Sequence, residues 1–292
     1  MYELIQVSER CYYIDCPAKI GLIRLNDTEV CLIDSGNHKD TGKKLKKLID
    51  ANGWTLRAIY NTHAHGDHIG GNQYLQQQTG CKIYVPKIED YFAETPILSP
   101  FSLYGGNPPT ELHSKFLLAQ ESCVEPLTEE CLPDGVSILP LPGHAWNMVG
   151  FQVDNKVVYL ADCLSAAEIL EKYQICFLTD VPAHQETLRT VAGLKGMYFV
   201  PCHADCSRDV SALAQLNIDK TMEIADKILE ICKEPICFEH ILKKLFDSYS
   251  LNLTFEQYAL VGSTVRSYLT WLKNEGKLGA MFEGNMLLWK RI

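Results

Sequence analysis

Residues 57–72 read Arg-Ala-Ile-Tyr-Asn-Thr-His-Ala-His-Gly-Asp-His-Ile-Gly-Gly-Asn, and four side chains able to hold a metal, His63, His65, Asp67 and His68, fall within six positions. In extended chain, alternate side chains point the same way, so His63 and His65 can grip one ion from one side. Asp67 and His68 are adjacent and need a turn to act together. Four ligands this close wrap one tetrahedral ion poorly, and two ions sharing a wall is the simpler arrangement. Three more candidates, His144, Asp162 and His203, each follow a short apolar run. The expected sites are His63, His65 and His144 on one ion and Asp67, His68 and His203 on the other, with Asp162 between them. Imidazoles and carboxylates without thiolate suit two divalent ions, zinc first, with iron or manganese as alternatives. Such a pair binds a hydroxide between the ions, lowers the pKa of that water from ~15.7 to near 7 and polarises an electrophile. Asp67, a ligand with a spare oxygen, is the candidate catalytic residue, placed to hold or accept the nucleophile's proton.

The ordinary explanation for any one histidine is a hydrogen-bonded core or surface group. Here five of the nine histidines fall at strand ends, which chance does not readily assemble. Asp34 and Thr62 are expected to orient ligand imidazoles. Cys163, Cys202 and Cys206 adjoin ligand positions, but neighbouring side chains diverge and the set is complete without a thiolate.

These residues need strands that end together. Short β-rich runs at Tyr2–Val7, Cys11–Asp15, Ile20–Leu25 and Glu29–Ile33 predict an antiparallel meander. Thr41–Asn52 reads as a helix, with Leu45, Leu48 and Ile49 on one face and a lysine run on the others. A strand over 57–61, a helix over Ile69–Gln78 and a strand over Lys82–Val85 continue the pattern, which indicates βαβ units and a mixed sheet. Further strands are expected at Gly135–Leu139, Gly150–Val153, Lys156–Leu160 and Met197–Val200, with a turn at Asp154-Asn155 and a helix over Ala183–Leu194.

Residues 86–133 hold seven prolines and an aromatic set, and read as a lid-like insertion with one short helix near Glu111–Gln120. From about Asp209 three helices (213–233, 237–249 and 254–275) and a hairpin around Glu283-Gly284-Asn285 resemble a winged-helix module. Residues 207–292 carry 11 Lys/Arg and 11 Asp/Glu, a net charge of 11 − 11 = 0. That neutral balance favours packing, dimerisation or pocket closure over nucleic-acid binding.

The 292 residues, net charge −9 and 47 % apolar content fit a soluble globular protein. No membrane span and no signal peptide are expected, which points to the cytoplasm. The 12 cysteines, several inside apolar runs, are expected to be mostly reduced and buried.

Thr62-His63-Ala64-His65-Gly66-Asp67-His68 resembles the HxHxDH signature of the metallo-β-lactamase fold superfamily. Leu32–Gly36, Pro142-Gly143-His144, Leu160-Ala161-Asp162 and Pro201-Cys202-His203 resemble its other motifs, in the usual order. The resemblance covers roughly residues 10–206. It implies an α/β fold, a four-layer αββα sandwich with a binuclear site at one edge. The expected organisation is a catalytic domain over 1–206, with the insertion at 86–133, and a helical winged-helix-like domain over 207–292. Two departures stand out. Ala145-Trp146 follows His144 where a hydroxyl residue is common, and Ala161-Asp162-Cys163-Leu164-Ser165 replaces the stretch typical of glyoxalase II.

The leading expectation is a metal-dependent hydrolase using a metal-bridging hydroxide on a small-molecule ester, thioester or lactone. The first alternative is a phosphodiesterase or endoribonuclease that holds nucleic acid with the C-terminal module, for which Lys243, Lys244, Arg266 and Lys273 would have to line a basic groove to the metals. The second is iron-dependent oxygen or persulfide chemistry. A homodimer is among the roles open to the C-terminal module.

Overall fold

The computed structural model describes residues 2–195 and 197–292. The first sheet holds seven strands in chain order: β1 (Glu3–Gln6), β2 (Cys11–Asp15), β3 (Ile20–Arg24), β4 (Glu29–Ile33), β5 (Thr55–Tyr60), β6 (Lys82–Val85) and β7 (Glu125–Pro126). The first four form the expected meander. From β4 onward the pairs are parallel and need crossovers. Helix α1 (Lys39–Ala51) makes one, and α2 (Gly66–Ile69) with α3 (Asn72–Thr79) makes the next. In α1, Leu45 and Ile49 are buried while Lys43, Lys44 and Lys47 are exposed, so the lysine run is a solvated face.

Between β6 and β7 the insertion carries α4 (Glu89–Glu94) and α5 (Leu98–Tyr104). The second sheet, in the order β11-β10-β9-β8, comprises β8 (Val136–Pro140), β9 (Val149–Val153), β10 (Val157–Ser165) and β11 (Tyr198–His203). Asp154 and Asn155 both have positive φ (51° and 55°), as the tight turn between β9 and β10 requires. Helices α6 (Ala167–Tyr173) and α7 (Val181–Gly193) lead to β11, the parallel partner of β10.

Alternating side chains give each sheet two apolar faces, and three clusters stack accordingly. Cys31, Ile33, Tyr60, Phe151, Val157 and Tyr159 fill the space between the sheets. Leu45, Ile49, Ile69 and Leu75 cover the outer face of the first sheet, and Leu188, Val191 and Ala214 that of the second. The result is the four-layer αββα sandwich.

The remaining elements are α8 (Ser211–Ile231), β12 (Ile236–Cys237), α9 (Phe238–Ser248), α10 (Phe255–Asn274), β13 (Leu278–Glu283) and β14 (Met286–Arg291). Their core is continuous with Ile175, Leu178 and Val181 of the preceding segment. The amides of Leu178 and Val181 donate to Thr264 Oγ1 (3.0 Å) and Ser267 Oγ (3.2 Å) on α10. The C-terminal helices are therefore part of the wall behind the sheet edge and are not tethered at a distance.

Three expectations need correction, and one helix is an addition. The helix near Glu111–Gln120 is absent. Only a 3-10 turn, Thr110–Leu112, forms there, and residues 115–116 lie main chain against α2, where a Cβ on Gly66 would come within 2.7 Å of Phe116 O. Tertiary contact overrides the local preference. Helices α4 and α5 form instead, with Pro100 in the first turn of α5, where proline is tolerated. The single helix over Ile69–Gln78 is broken at Gly70-Gly71 into α2 and α3. A Cβ on Gly71 would sit 2.4 Å from Ser35 O, so the glycine lets the β4 loop pass beneath the break. Helix α6 was not foreseen. Asp162 lies within β10, at a register break where Ala161 takes a left-handed φ of 50°, and not beyond the strand end.

Candidate metal centre

Five segments bring the expected residues to one edge: the β5–α2 loop, the first turn of α2, the β8–β9 loop, the bulge in β10 and the end of β11. Ligand atoms of His63, His65 and His144 form one group, and those of Asp67, His68, Asp162 and His203 another, each within 4.8 Å. All seven side chains named from the sequence meet there.

The loop after β4 sets the floor. Asp34, at a left-handed φ of 66°, is buried. Its Oδ1 accepts from the Thr62 amide (2.8 Å), and its Oδ2 accepts from the Thr62 hydroxyl (2.8 Å) and lies 2.8 Å from His68 Nδ1. Ser35 binds the His68 carbonyl through its amide (2.7 Å) and hydroxyl (3.1 Å). Buried Asn61 donates to Asp34 Oδ1, and Asn72 donates to Asn61. The orienting roles expected of Asp34 and Thr62 follow from these contacts.

Proton accounting then tests whether a cation fits. The Thr62 hydroxyl gives its hydrogen to Asp34, so it can only accept from His63 Nδ1, 2.9 Å away. His144 Nδ1 faces the Phe177 carbonyl (3.0 Å), which also only accepts. The Nε2 atoms of both rings are therefore lone pairs, and each lies 2.9 Å from His65 Nδ1. A proton on His65 can serve one of them; a cation serves all three.

In the second group, Asp162 Oδ2 lies 3.1 Å from His203 Nε2 and 3.5 Å from His144 Nε2, which puts this carboxylate between the two groups. His203 Nδ1 is fixed by the Pro17 carbonyl (3.1 Å). His68 Nε2 and Asp162 Oδ1 are 3.1 Å apart, yet neither has a hydrogen-bond partner. Orphaned buried atoms of this kind are what an ion would satisfy. The donor set, nitrogen and oxygen without sulfur, fits divalent metal ions.

The two groups differ electrostatically. Burial pushes His65 down to about 4 and His144 to about 3, and lowers His63 as well. Asp162 holds a proton on His203, pushing it up to about 10. His68 is raised too, its burial being outweighed by Asp162, Asp67 and Asp34. Desolvation would raise half-buried Asp67, but His68 and His203 outweigh it and draw it down to about 2. Cys202 reaches the Asp34–His68 corner, but burial beside carboxylates raises its thiol far above the usual range, so it stays protonated and is a poor ligand. All 12 cysteines are free, seven of them buried.

Glu89 was missed. It is 4 % exposed and accepts from the amides of Ala64 (3.2 Å) and Asn147 (3.3 Å), tying together the two loops that carry His63, His65 and His144. Ile88 before it is forced to a φ of 81°, a costly conformation for a β-branched residue. One glutamate in a proline-rich insertion offers no pattern that would have flagged it.

A cleft of about 570 Å³ opens over this cluster, with His65, Asp67, His144, Asp162 and His203 in its lining. The insertion and α10 supply much of its wall, and Trp146, 60 % exposed, also lines it. Lys243, Lys244, Arg266 and Lys273 do not line it. Lys243 pairs with Asp247 (2.5 Å), and Arg266 faces a neighbouring groove and packs on the Phe238 ring (3.8 Å).

A sandwich with a histidine and carboxylate centre at its sheet edge defines a class of metal-binding α/β proteins. A family model described as the metallo-beta-lactamase superfamily matches residues 13–203, and the chain belongs to that superfamily. Among curated proteins it is similar to hydroxyacylglutathione hydrolases. One from Erythrobacter litoralis is 46 % identical over 46 residues, 16 % of this chain and 18 % of that protein. One from Nitrosococcus oceani is 36 % identical over 72 residues, 25 % of this chain and 23 % of that protein. The chain thus spans less than a quarter of the length of either relative. Among solved structures, a beta-lactamase domain protein from Burkholderia ambifaria superposes with a TM-score of 0.73 at 15 % identity, over 99 % of this chain and 94 % of that one. A metallo-beta-lactamase family protein from Thermus thermophilus gives 0.73 at 17 % identity, over 97 % and 98 %. These two likenesses concern the fold alone, and they extend through the C-terminal elements. No helix among the described residues is long and apolar enough to cross a membrane.

Proposed function

We propose that the chain is a metal-dependent hydrolase acting on a small ester, thioester or lactone. The observation that carries this is the meeting of the His63, His65 and His144 nitrogens without enough protons to satisfy one another, next to a carboxylate group centred on Asp162. His63, His65 and His144 would hold one divalent ion, and Asp67, His68 and His203 a second, with Asp162 shared. Zinc is the first choice for this donor set. When bound, two such ions supply Lewis acidity and lower the pKa of water to near 7.

The chain's own residues do the rest. Asp34 and Thr62 fix the imidazoles so that their free nitrogens face inward. Asp67, drawn down to about 2 and half open to the cleft, stays ionised and would accept a hydrogen bond from the attacking water, orienting it. The insertion and α10 wall the cleft in which the substrate carbonyl would lie over the site. The short similarities to hydroxyacylglutathione hydrolases support the ester and thioester class.

We read residues 1–206 as the catalytic unit and 207–292 as a winged-helix-like unit. Its helix, strand, helix, helix, hairpin order supports the second assignment. Its role in this proposal is to close the cleft through Leu260 and Ser263.

The test is metal content with turnover. Purified protein should carry close to two metal equivalents and hydrolyse members of a thioester, ester and lactone panel. The His65→Ala/His68→Ala double variant should lose metal and activity together; full metal content in that variant would refute the assignment. Turnover of short RNA alone would favour the nuclease alternative.

A further inference from the structure

The geometry points to a substrate whose acyl group is extended, apolar and uncharged, bound beside the metal-facing residues in a cleft that selects against anions. This inference rests on the hydrolase reading above and narrows it.

The wall of the cleft is apolar on three sides. Phe92, Leu103 and Leu117 come from the insertion, Trp146 and Phe177 from the loops beside His144, and Leu260 from α10. Leu103, Leu117 and Leu260 also belong to one packed cluster with Leu112 and Ala259. The insertion and the C-terminal helix are thereby locked together, and the wall has a defined shape before substrate arrives. A volume of about 570 Å³ exceeds what an acetyl group would use and suits an acyl chain of several carbons.

The polar lining is equally informative. Away from the metal-facing residues it consists of the hydroxyl residues Ser99, Ser102, Thr179 and Ser263 and the carboxyl of Glu89. Among the described residues, no lysine or arginine lines the cleft. A carboxylate or phosphate carried on the acyl portion would lose its hydration between aromatic and aliphatic walls with no cation to meet it. Glu89 adds an acidic group on the same wall. Arg266 lies in the adjacent groove, on the far side of Leu103.

The step is ordinary hydrolysis. Water adds its oxygen to the acyl carbon, the bond from that carbon to the ester oxygen or thioester sulfur breaks, and the leaving atom takes a proton. The products are a carboxylic acid and an alcohol or thiol.

The experiment uses full-length, metal-loaded protein and two readouts. The first is kcat/KM for neutral N-acetylcysteamine thioesters with straight acyl chains from two to ten carbons, alongside ω-carboxylated acyl groups of matched length. The second is the affinity of non-hydrolysable thioether analogues of both series, followed by quenching of tryptophan fluorescence. Burying a methylene predicts about a fourfold gain in kcat/KM and in affinity per added carbon until the cleft is full. The ω-carboxylated partners should be at least tenfold poorer in both readouts. Ser263→Lys should narrow that gap by bringing a cation into the cleft. Equal affinity across chain lengths, or a preference for the carboxylated series, overturns this inference and leaves the hydrolase reading standing. Chain-length-dependent binding with no turnover of any member overturns the hydrolase reading and leaves the cleft assignment standing.

Discussion

The Oδ2 atom of Asp34 lies 2.8 Å from Nδ1 of His68, and this buried contact fixes which His68 nitrogen faces the centre. The same carboxylate receives both the amide and the hydroxyl of Thr62, whose oxygen in turn meets His63. One side chain thus orients an imidazole in each of the two groups. Asp34→Asn tolerates the left-handed backbone but turns an acceptor into a donor facing other donors. The expected result is a loss of about 10- to 100-fold in metal affinity, read by chelator competition, with an unchanged far-UV spectrum. Wild-type affinity in the variant would remove Asp34 from the account of the site.

The close approach of Gly71 to Ser35 makes a second prediction. A Cβ at position 71 would sit 2.4 Å from Ser35 O and 3.2 Å from its Oγ. Backbone must move, and Ser35 is the residue that grips the His68 carbonyl. Gly71→Ala should cost about 1–3 kcal/mol in denaturant unfolding and weaken metal binding as well. Gly193→Ala is the control, since a Cβ there meets nothing within 4 Å. It should be neutral or stabilise by up to about 1 kcal/mol. Equal effects of the two changes would contradict the packing described.

The seven clustered residues were legible because ligand types are chemically rare and recurred where apolar runs stopped. The meander, β6 and the C-terminal helices were legible from periodicity, since each buries one continuous face. The insertion was not. Its conformation is set by what it lies on: residues 115–116 pass over Gly66, and Glu89 is drawn in by amides of two distant loops. Nothing local in Ile88-Glu89 encodes a partner 58 residues away. The break between α2 and α3 was hidden for a related reason, because Gly70-Gly71 reads equally as a helix start until the loop at Ser35 is in place. The position of Asp162 inside a strand depends on a bulge at Ala161, which has no residue signature there.

Glu89 yields a third prediction. Its two oxygens take the Ala64 and Asn147 amides separately, so a glutamine offers an oxygen to only one of them and turns an NH2 toward the other. Glu89→Gln should cost about 1–3 kcal/mol of stability, the penalty of one unsatisfied buried donor. Glu89→Ala, which abandons both amides, should cost more. Glu94→Ala, on the exposed side of the same helix, should stay within about 0.5 kcal/mol. A Glu89→Gln variant as stable as the wild type would show that a single acceptor suffices.

The electrostatic contrast between the two groups gives a prediction with a definite sign. Without metal, His203, raised to about 10, and His68, raised by its carboxylate neighbours, keep their protons through neutral pH. A cation must displace those protons, so affinity at the carboxylate-rich group should rise with pH, up to about tenfold per unit for each proton released. His65 at about 4 and His144 at about 3, with His63 also depressed by burial, are already neutral at pH 6. Affinity at the three-histidine group should therefore stay flat between pH 6 and 8 and fall only in stronger acid. Zinc titrations of the apoprotein at pH 6, 7 and 8 would resolve one steep and one flat binding event. Calorimetry at pH 7 in buffers of different ionisation heat would count about two protons released on full loading. Two events with the same pH slope would mean that the groups do not titrate separately, and the division of ligands between the ions would have to be redrawn.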